Sequence, residues 1–310
     1  MLELPLYIFE EMFMGRIARF IKRLKIRISL NKKQFAVYTV LRALVILTGI
    51  RSLATHNYES AALCALILIL FLVPSFFEEL LEVSIPPVFQ VIIYTFIYAA
   101  EILGEVNKYY TVIPGWDTML HTINGFLCAA IGLSLVFILN RRDSRNLHLS
   151  PFYLAMAAFC FSMTIGVIWE FIEYTADHFL YLDMQKDVII KDIGSISLDT
   201  TGSQIPVRVS DITRTVIETG DGSQVVVEGG YLDVGINDTM KDLLVNFLGA
   251  LTFCVIGYFY EKKHGFDEKV SVKSPLLIKP LSKAEVKLRN ELIFRRMNRK
   301  RKEKAKEEAE

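Results

Sequence analysis

The sequence predicts an all-α integral membrane helical bundle of about six transmembrane helices, with a small external β-rich insertion. Three observations predict it. Of the 310 residues, 52% are hydrophobic and the mean hydropathy is +0.36, more apolar sequence than a soluble domain has use for. Five stretches carry no formal charge and come close to the roughly 20 helical residues that cross a ~30 Å hydrocarbon core. Before the last of them the pattern changes to short β-branched runs broken by Gly, Asp and Ser.

Residues 1–34 open the chain. Acids come first, basic residues follow the apolar part, and no small-residue cleavage site is visible, so a cleavable signal does not fit. A cytoplasmic amphipathic basic segment lying in the interface does. Spans one to five then occupy residues 35–182. The charge-free stretches are Ser60–Phe77, Val83–Ala100, Thr122–Leu139 and Leu149–Trp169, followed much later by Leu243–Tyr260. A weaker first span, Phe35–Ala54, contains Arg42 near one end, where its head group can snorkel to the interface.

Basic residues fix the expected orientation, because Lys and Arg are retained on the cytoplasmic side. They cluster before span one (Arg16 to Lys33), between spans four and five (Arg141, Arg142, Arg145) and after span six (Lys262, Lys263 and the stretch "RRMNRKRKEKAK"). With six spans all three fall on one side, so both termini are expected in the cytoplasm of a plasma-membrane protein. The net charge of +1 says nothing about partners, and no nucleic-acid role is expected. The cytoplasmic basic tail covers residues 261–310, and contact with anionic lipid suits it.

Residues 183–237 are expected outside. "TVIETGDGSQVVV" reads as a hairpin around Asp221-Gly222, and three or four strands are expected in a cap too short for a large core. Span six takes residues 238–260. The four cysteines, Cys64, Cys128, Cys160 and Cys254, lie in apolar runs with no zinc spacing, and read as small buried hydrophobes. Trp116 and Trp169 read as interfacial anchors.

The polar residues of the spans are the informative part. Span four opens with Asp117 and His121, four apart. Span five ends with Glu170, Glu173 and Asp177. Span six opens with Asp238, Asp242 and Asn246, and span three ends with Glu101 and Glu105. These spacings put each set on one helix face, and the topology puts all four helix ends at the outer leaflet. A charge in hydrocarbon costs about 2.5–3.5 kcal/mol on insertion scales, so these groups should face one another. Small residues beside them, Gly125, Gly166, Gly249 and Ala250, allow close helix approach.

Three chemistries fit this list. A divalent metal can be held by His121, Glu170, Glu173 and Asp242. Acid–base work can use Asp117, His121, Glu170, Glu173 and Asp242 as catalytic groups, with Glu101, Asp177, Asp238 and Asn246 lining the pocket. A cationic head group or ion can also bind there. Against these stands a structural reading. Asp117 and Asp238 suit helix N-termini as caps, Glu105 and Asp177 suit a solvated interface, and the rest can glue helices together. Capping does not explain Glu170 and Glu173, which sit at a helix C-terminal end. There is no P-loop, no G-x-S-x-G and no H-E-x-x-H, and His121 is the one histidine expected inside the membrane.

"WDTMLHTINGF", "WEFIEYTAD" and "DTMKDLLVNFLGA" resemble the three signature stretches of the YjdF-like family of bacterial membrane proteins, and are more distantly similar to the VanZ-like family. The resemblance spans about residues 85–260, with a gap at the outer loop, which is longer here than the family's usual connection. It carries over Asp117, His121 and Gly125, then Glu170 and Glu173, then Asp238, Asp242 and Gly249. The YjdF-like family has no settled activity, and VanZ-like proteins are linked to low-level lipoglycopeptide resistance. Both imply work at the outer face of a bacterial envelope. The expectation is a protein that binds or modifies the head group of a membrane lipid or cell-envelope precursor. The alternatives are a proton- or cation-coupled transporter, and a non-catalytic envelope scaffold or immunity protein.

Overall fold

The computed structural model describes residues 32–81, 83–142, 149–264 and 276–281. The expected N-terminal interfacial segment, the basic residue Arg145 and nearly all of the basic tail lie outside the described residues. Six described helical segments are long and apolar enough to cross a membrane: Phe35–Ala54, Tyr58–Glu78, Pro87–Val106, Trp116–Leu139, Pro151–Leu180 and Ile236–Lys263. The protein is a multi-pass helical membrane bundle. Its described residues fall into two compact units.

The first unit holds residues up to Pro114, with Leu133–Ser150 and the chain from Tyr260. Helix α1 (Lys32–Ala54) is followed by α2 (Tyr58–Leu70), whose first turn is capped by the Asn57 side chain accepting from the Ser60 N–H. Arg42 turns its guanidinium back to donate to the Tyr38 hydroxyl at 2.6 Å. The second span is not one rod. Its helix stops at Leu70 and restarts as α3 (Val73–Leu80), with Pro74 in the new first turn, where its missing N–H costs nothing. Strand β1 (Val83–Ser84) follows, and the Ile85 N–H donates to the buried Glu78 carboxylate at 2.7 Å.

Helix α4 (Pro87–Tyr98) runs into a π-helical segment, Ala99–Val106. There the Asn107 N–H reaches five residues back to the Ile102 carbonyl, the wider turn that a π segment makes. Val45, Cys64, Ile67, Phe71, Tyr94 and Ile102 form the core of this unit. Far along the chain β8 (Lys279–Pro280) pairs antiparallel with β1, and the Ile278 N–H donates to the buried Ser134 hydroxyl at 3.0 Å.

The second unit holds Gly115–Gly132 and Pro151–Phe259. It contains the first part of α5 (Trp116–Arg142), all of α6 (Pro151–Leu180) and most of α7 (Ile236–His264). On α6 the buried residues are Leu154, Ala158, Ser162, Gly166, Glu170, Glu173 and Ala176, one stripe at helical spacing that turns from apolar to acidic along its length. Cys64, Cys128 and Cys254 are buried as expected, but Cys160 lies on the exposed face of α6, because it falls off that stripe.

The insertion between α6 and α7 has six short strands among the described residues, not three or four. They are β2 (Val188–Ile190), β3 (Ile193–Ser195), β4 (Val207–Val209), β5 (Arg214–Glu218), β6 (Gln224–Glu228) and β7 (Tyr231–Asp233). They pair antiparallel as β2 with β7, β3 with β4 and β5 with β6. The expected hairpin is β5–β6, with Arg214 opposite Glu228 and Glu218 opposite Gln224. Gly222 at its turn has φ +82°, a conformation that suits glycine. Two loop carboxyls are held down to about 2: Asp199 by the Thr201 hydroxyl and nearby N–H groups, and Asp221 by the Thr219 hydroxyl and Ser223.

Candidate functional site

In the second unit the start of α5, the end of α6 and the start of α7 come together because small residues permit it. A Cβ on Gly249 would lie 2.0 Å from the Thr122 carbonyl oxygen, and one on Gly125 would lie 2.1 Å from that of Asn246. On Gly166 it would meet the Asn246 side chain at 2.7 Å. Asn246 therefore sits where three helices touch. Its carbonyl oxygen accepts from Asn124 Nδ2 at 3.3 Å and its amide donates to Met163 Sδ at 3.7 Å. Below it the Ser162 hydroxyl donates to the Gly125 carbonyl at 2.8 Å.

One turn above Asn246, His121 lies among carboxylates from all three helices. Its Nε2 is 3.4 Å from Asp117 Oδ1 and 3.8 Å from Asp242 Oδ2, and its Nδ1 is 3.8 Å from Glu170 Oε1. The Asp242 and Glu170 side chains are only 2% and 5% exposed. Asp117, His121 and Asp242 each offer a ligand atom, all within 4.8 Å of one another. Asp117 Oδ2, Glu170 Oε2 and Asp242 Oδ1 are buried without a hydrogen-bond partner. Among the described residues no lysine or arginine forms an ion pair with these three acids. One imidazole thus stands against three carboxylates, in a place where uncompensated charge is expensive.

The neighbouring acids are differently placed. Glu173 accepts from the Trp169 indole N–H at 2.8 Å, which gives that tryptophan a polar partner. Asp177 takes the Met184 N–H at 2.6 Å and the Gln185 N–H at 2.8 Å, and Asp238 takes the Lys186 N–H at 2.7 Å. The Gln185 amide donates to the Thr239 hydroxyl, which also faces Glu170. Gly235, at φ +86°, leaves the room that Gln185 occupies. These contacts strap residues 183–187 across the helix ends that carry the cluster. Asp233 accepts from the Asn237 N–H and side-chain amide, closing the first turn of α7.

The structure thus brings together Asp117, His121, Glu170 and Asp242, with Glu173 and Asn246 adjoining. It ties Asp177 and Asp238 to the strap. Glu101 lies in the π-helical segment, in the first unit. Asn124, Ser162, Gln185 and Thr239 join the site's surroundings without having been singled out from the sequence. Asn124 follows His121 at helical spacing and Ser162 precedes Gly166 likewise, so a polar stripe was readable there. Gln185 and Thr239 meet across 54 residues and leave no such signal.

No curated protein and no solved structure matches the chain. A family profile does, over most of its length, and all three motif stretches fall within the match, in line with the YjdF-like resemblance; the VanZ-like likeness is not confirmed by it. With residues 34–263 matched, the chain belongs to the family described as Predicted membrane protein (DUF2238).

Proposed function

We propose that this membrane protein binds, and chemically modifies, the head group of a membrane lipid or cell-envelope precursor at the outer leaflet of a bacterial plasma membrane. The observation that carries the reading is the set of three buried, unpartnered carboxylate oxygens around His121, at helix ends from which the β-rich insertion springs. Buried polar atoms are ordinarily satisfied, so carboxylates that meet at one histidine and each keep an unpartnered oxygen mark a place for a ligand. The basic segments support a topology with both termini in the cytoplasm and these helix ends outside. A head group at this depth reaches the cluster while its acyl chains stay in lipid.

A transport reading needs polar groups continuing to the opposite face. In the second unit the polar chain stops at Asn124, Asn246 and Ser162, and the buried residues that follow are Leu127, Ala129, Ala130, Ala250 and Phe253. At Gly125 and Gly249 the helices touch backbone to backbone, which favours a site open on one side. The test is product release from labelled membrane lipids by the purified protein. Activity is expected in wild type and lost in His121→Ala; activity that survives that change overturns the reading.

A further inference from the structure

We propose that Asp117, His121 and Asp242 are the ligands of a divalent first-row metal ion, with Glu170 orienting the histidine. The assignment rests on the reading of this cluster as the working site. It adds the cofactor and the role of each nitrogen of the imidazole.

Distance is the first argument. Ligands about 2.0–2.2 Å from one ion stand roughly 3.3–3.6 Å apart in a tetrahedron. The two contacts of His121 Nε2, 3.4 Å to Asp117 Oδ1 and 3.8 Å to Asp242 Oδ2, are already near that spacing. They are too long for hydrogen bonds of ordinary strength between charged partners. A small rotation of Asp242 closes the set, because its other oxygen has no partner to give up.

Charge is the second. An imidazolium alone would place one positive charge among Asp117, Glu170 and Asp242. It would leave the buried atoms Asp117 Oδ2, Glu170 Oε2 and Asp242 Oδ1 without a hydrogen-bond partner. A divalent ion balances two carboxylates and bonds one oxygen of each. The third carboxylate then has a different task. Glu170 faces Nδ1, the nitrogen turned away from the other two acids. Metal-bound histidines regularly donate their remote N–H to a carboxylate, which fixes the tautomer and the ring plane. The geometry here approaches that layout: Nε2 faces Asp117 and Asp242, and Nδ1 stands 3.8 Å from Glu170 Oε1, within a small side-chain adjustment of a hydrogen bond.

The donor set is two carboxylates and one imidazole. It suits ions of intermediate hardness such as zinc, manganese or ferrous iron better than calcium or magnesium. Three protein ligands leave a coordination position for water or a substrate oxygen, the arrangement of sites that act rather than merely hold. A phosphate or hydroxyl oxygen of a head group fits that position.

The test begins with the full chain in mild detergent, loaded with zinc or manganese, freed of excess ion and assayed for bound metal. About one ion per chain is expected in wild type. His121→Ala and Asp242→Asn should each lose it, and Glu170→Gln should keep it with about 10–100-fold weaker affinity. Should a variant fail to fold, X-ray absorption on the wild-type zinc form decides alone, by showing one imidazole nitrogen and carboxylate oxygens at about 2.0–2.2 Å. Folded wild type that retains no ion, or an ion bound equally by His121→Ala and Asp242→Asn, overturns the assignment. Lipid-directed activity that persists in metal-free protein would refute the metal and leave the proposed function. A bound ion without such activity would do the reverse.

Discussion

Gly249→Ala tests whether close helix packing is what builds the site. The added Cβ would lie 2.0 Å from the Thr122 carbonyl oxygen, against the 3.4 Å at which contact becomes ordinary, and the obstacle is backbone that cannot rotate away. The helices α5 and α7 must therefore part by about 1.4 Å at this point, the difference between those two distances. Overpacking of this kind costs about 1–3 kcal/mol. The consequence reaches the cluster, because His121 adjoins Thr122 on α5, and Asp242 lies two turns before Gly249 on α7. Parting the helices stretches the 3.8 Å His121–Asp242 contact toward about 5 Å, too far for one ion to bind both. Thermal unfolding in detergent and metal titration read the two effects. A lowered Tm and at least tenfold weaker metal binding are expected. Gly220→Ala, where nothing lies within 4 Å of the new atom, is the control and should change neither. A Gly249→Ala protein as stable as wild type with undiminished metal affinity would refute the packing argument.

Three further outcomes are expected. Asn246→Leu removes the partner of the half-buried Asn124 amide, at a cost of about 1 kcal/mol or more in unfolding experiments; an unchanged unfolding midpoint would count against Asn246 as the joint of the three helices. Releasing the strap with Asp177→Ala or Gln185→Ala should raise the rate at which diethyl pyrocarbonate modifies His121 in metal-free protein by several-fold; equal rates would mean that residues 183–187 do not limit access. Asp199 and Asp221 have folded-state values of about 2, below their ordinary 3.8, so they support their turns fully above about pH 4 and lose that support as pH falls through about 2. The amide proton shifts of Thr201 and Ser223, which donate to these carboxylates, should titrate with midpoints near 2, and midpoints near 4 would contradict the assignment.

The spans were legible because the bilayer asks for something simple, a run of residues without charge. The interruption of the second span was legible too, since Pro74 stands inside Ser60–Phe77, near its end, but a count of charges does not register it. The strands were harder. Three-residue strands such as β3 and β4 are too short to show the alternation by which strands are recognised, and only the five-residue β5–β6 hairpin with its Asp-Gly turn stood out. In the site, helical spacing was enough to place His121, Glu170 and Asp242 on buried faces. Asn124 and Ser162 continue those faces at helical spacing too, but a search for charges passes over uncharged polar residues inside charge-free stretches. Nor could spacing assign partners. That Asp177 holds backbone of residues 184 and 185, and that Asp238 holds Lys186, depends on how the insertion returns to the helix ends.

That distinction is what separates the acids by role. Seven carboxylates, Asp117, Glu170, Glu173, Asp177, Asp233, Asp238 and Asp242, crowd the same helix ends, and from composition they look alike. Four of them accept from a backbone amide or an indole: Glu173 from Trp169, Asp177 and Asp238 from the strap, Asp233 from the first turn of α7. The hydrogen bonds supply the stabilisation that their burial removes, and their presence needs no ligand. Asp117, Glu170 and Asp242 each retain an oxygen that nothing in the protein satisfies, and all three converge on His121. A fold that supplies a backbone amide or an indole to each neighbouring acid, and none to these, has left them for something that arrives from outside.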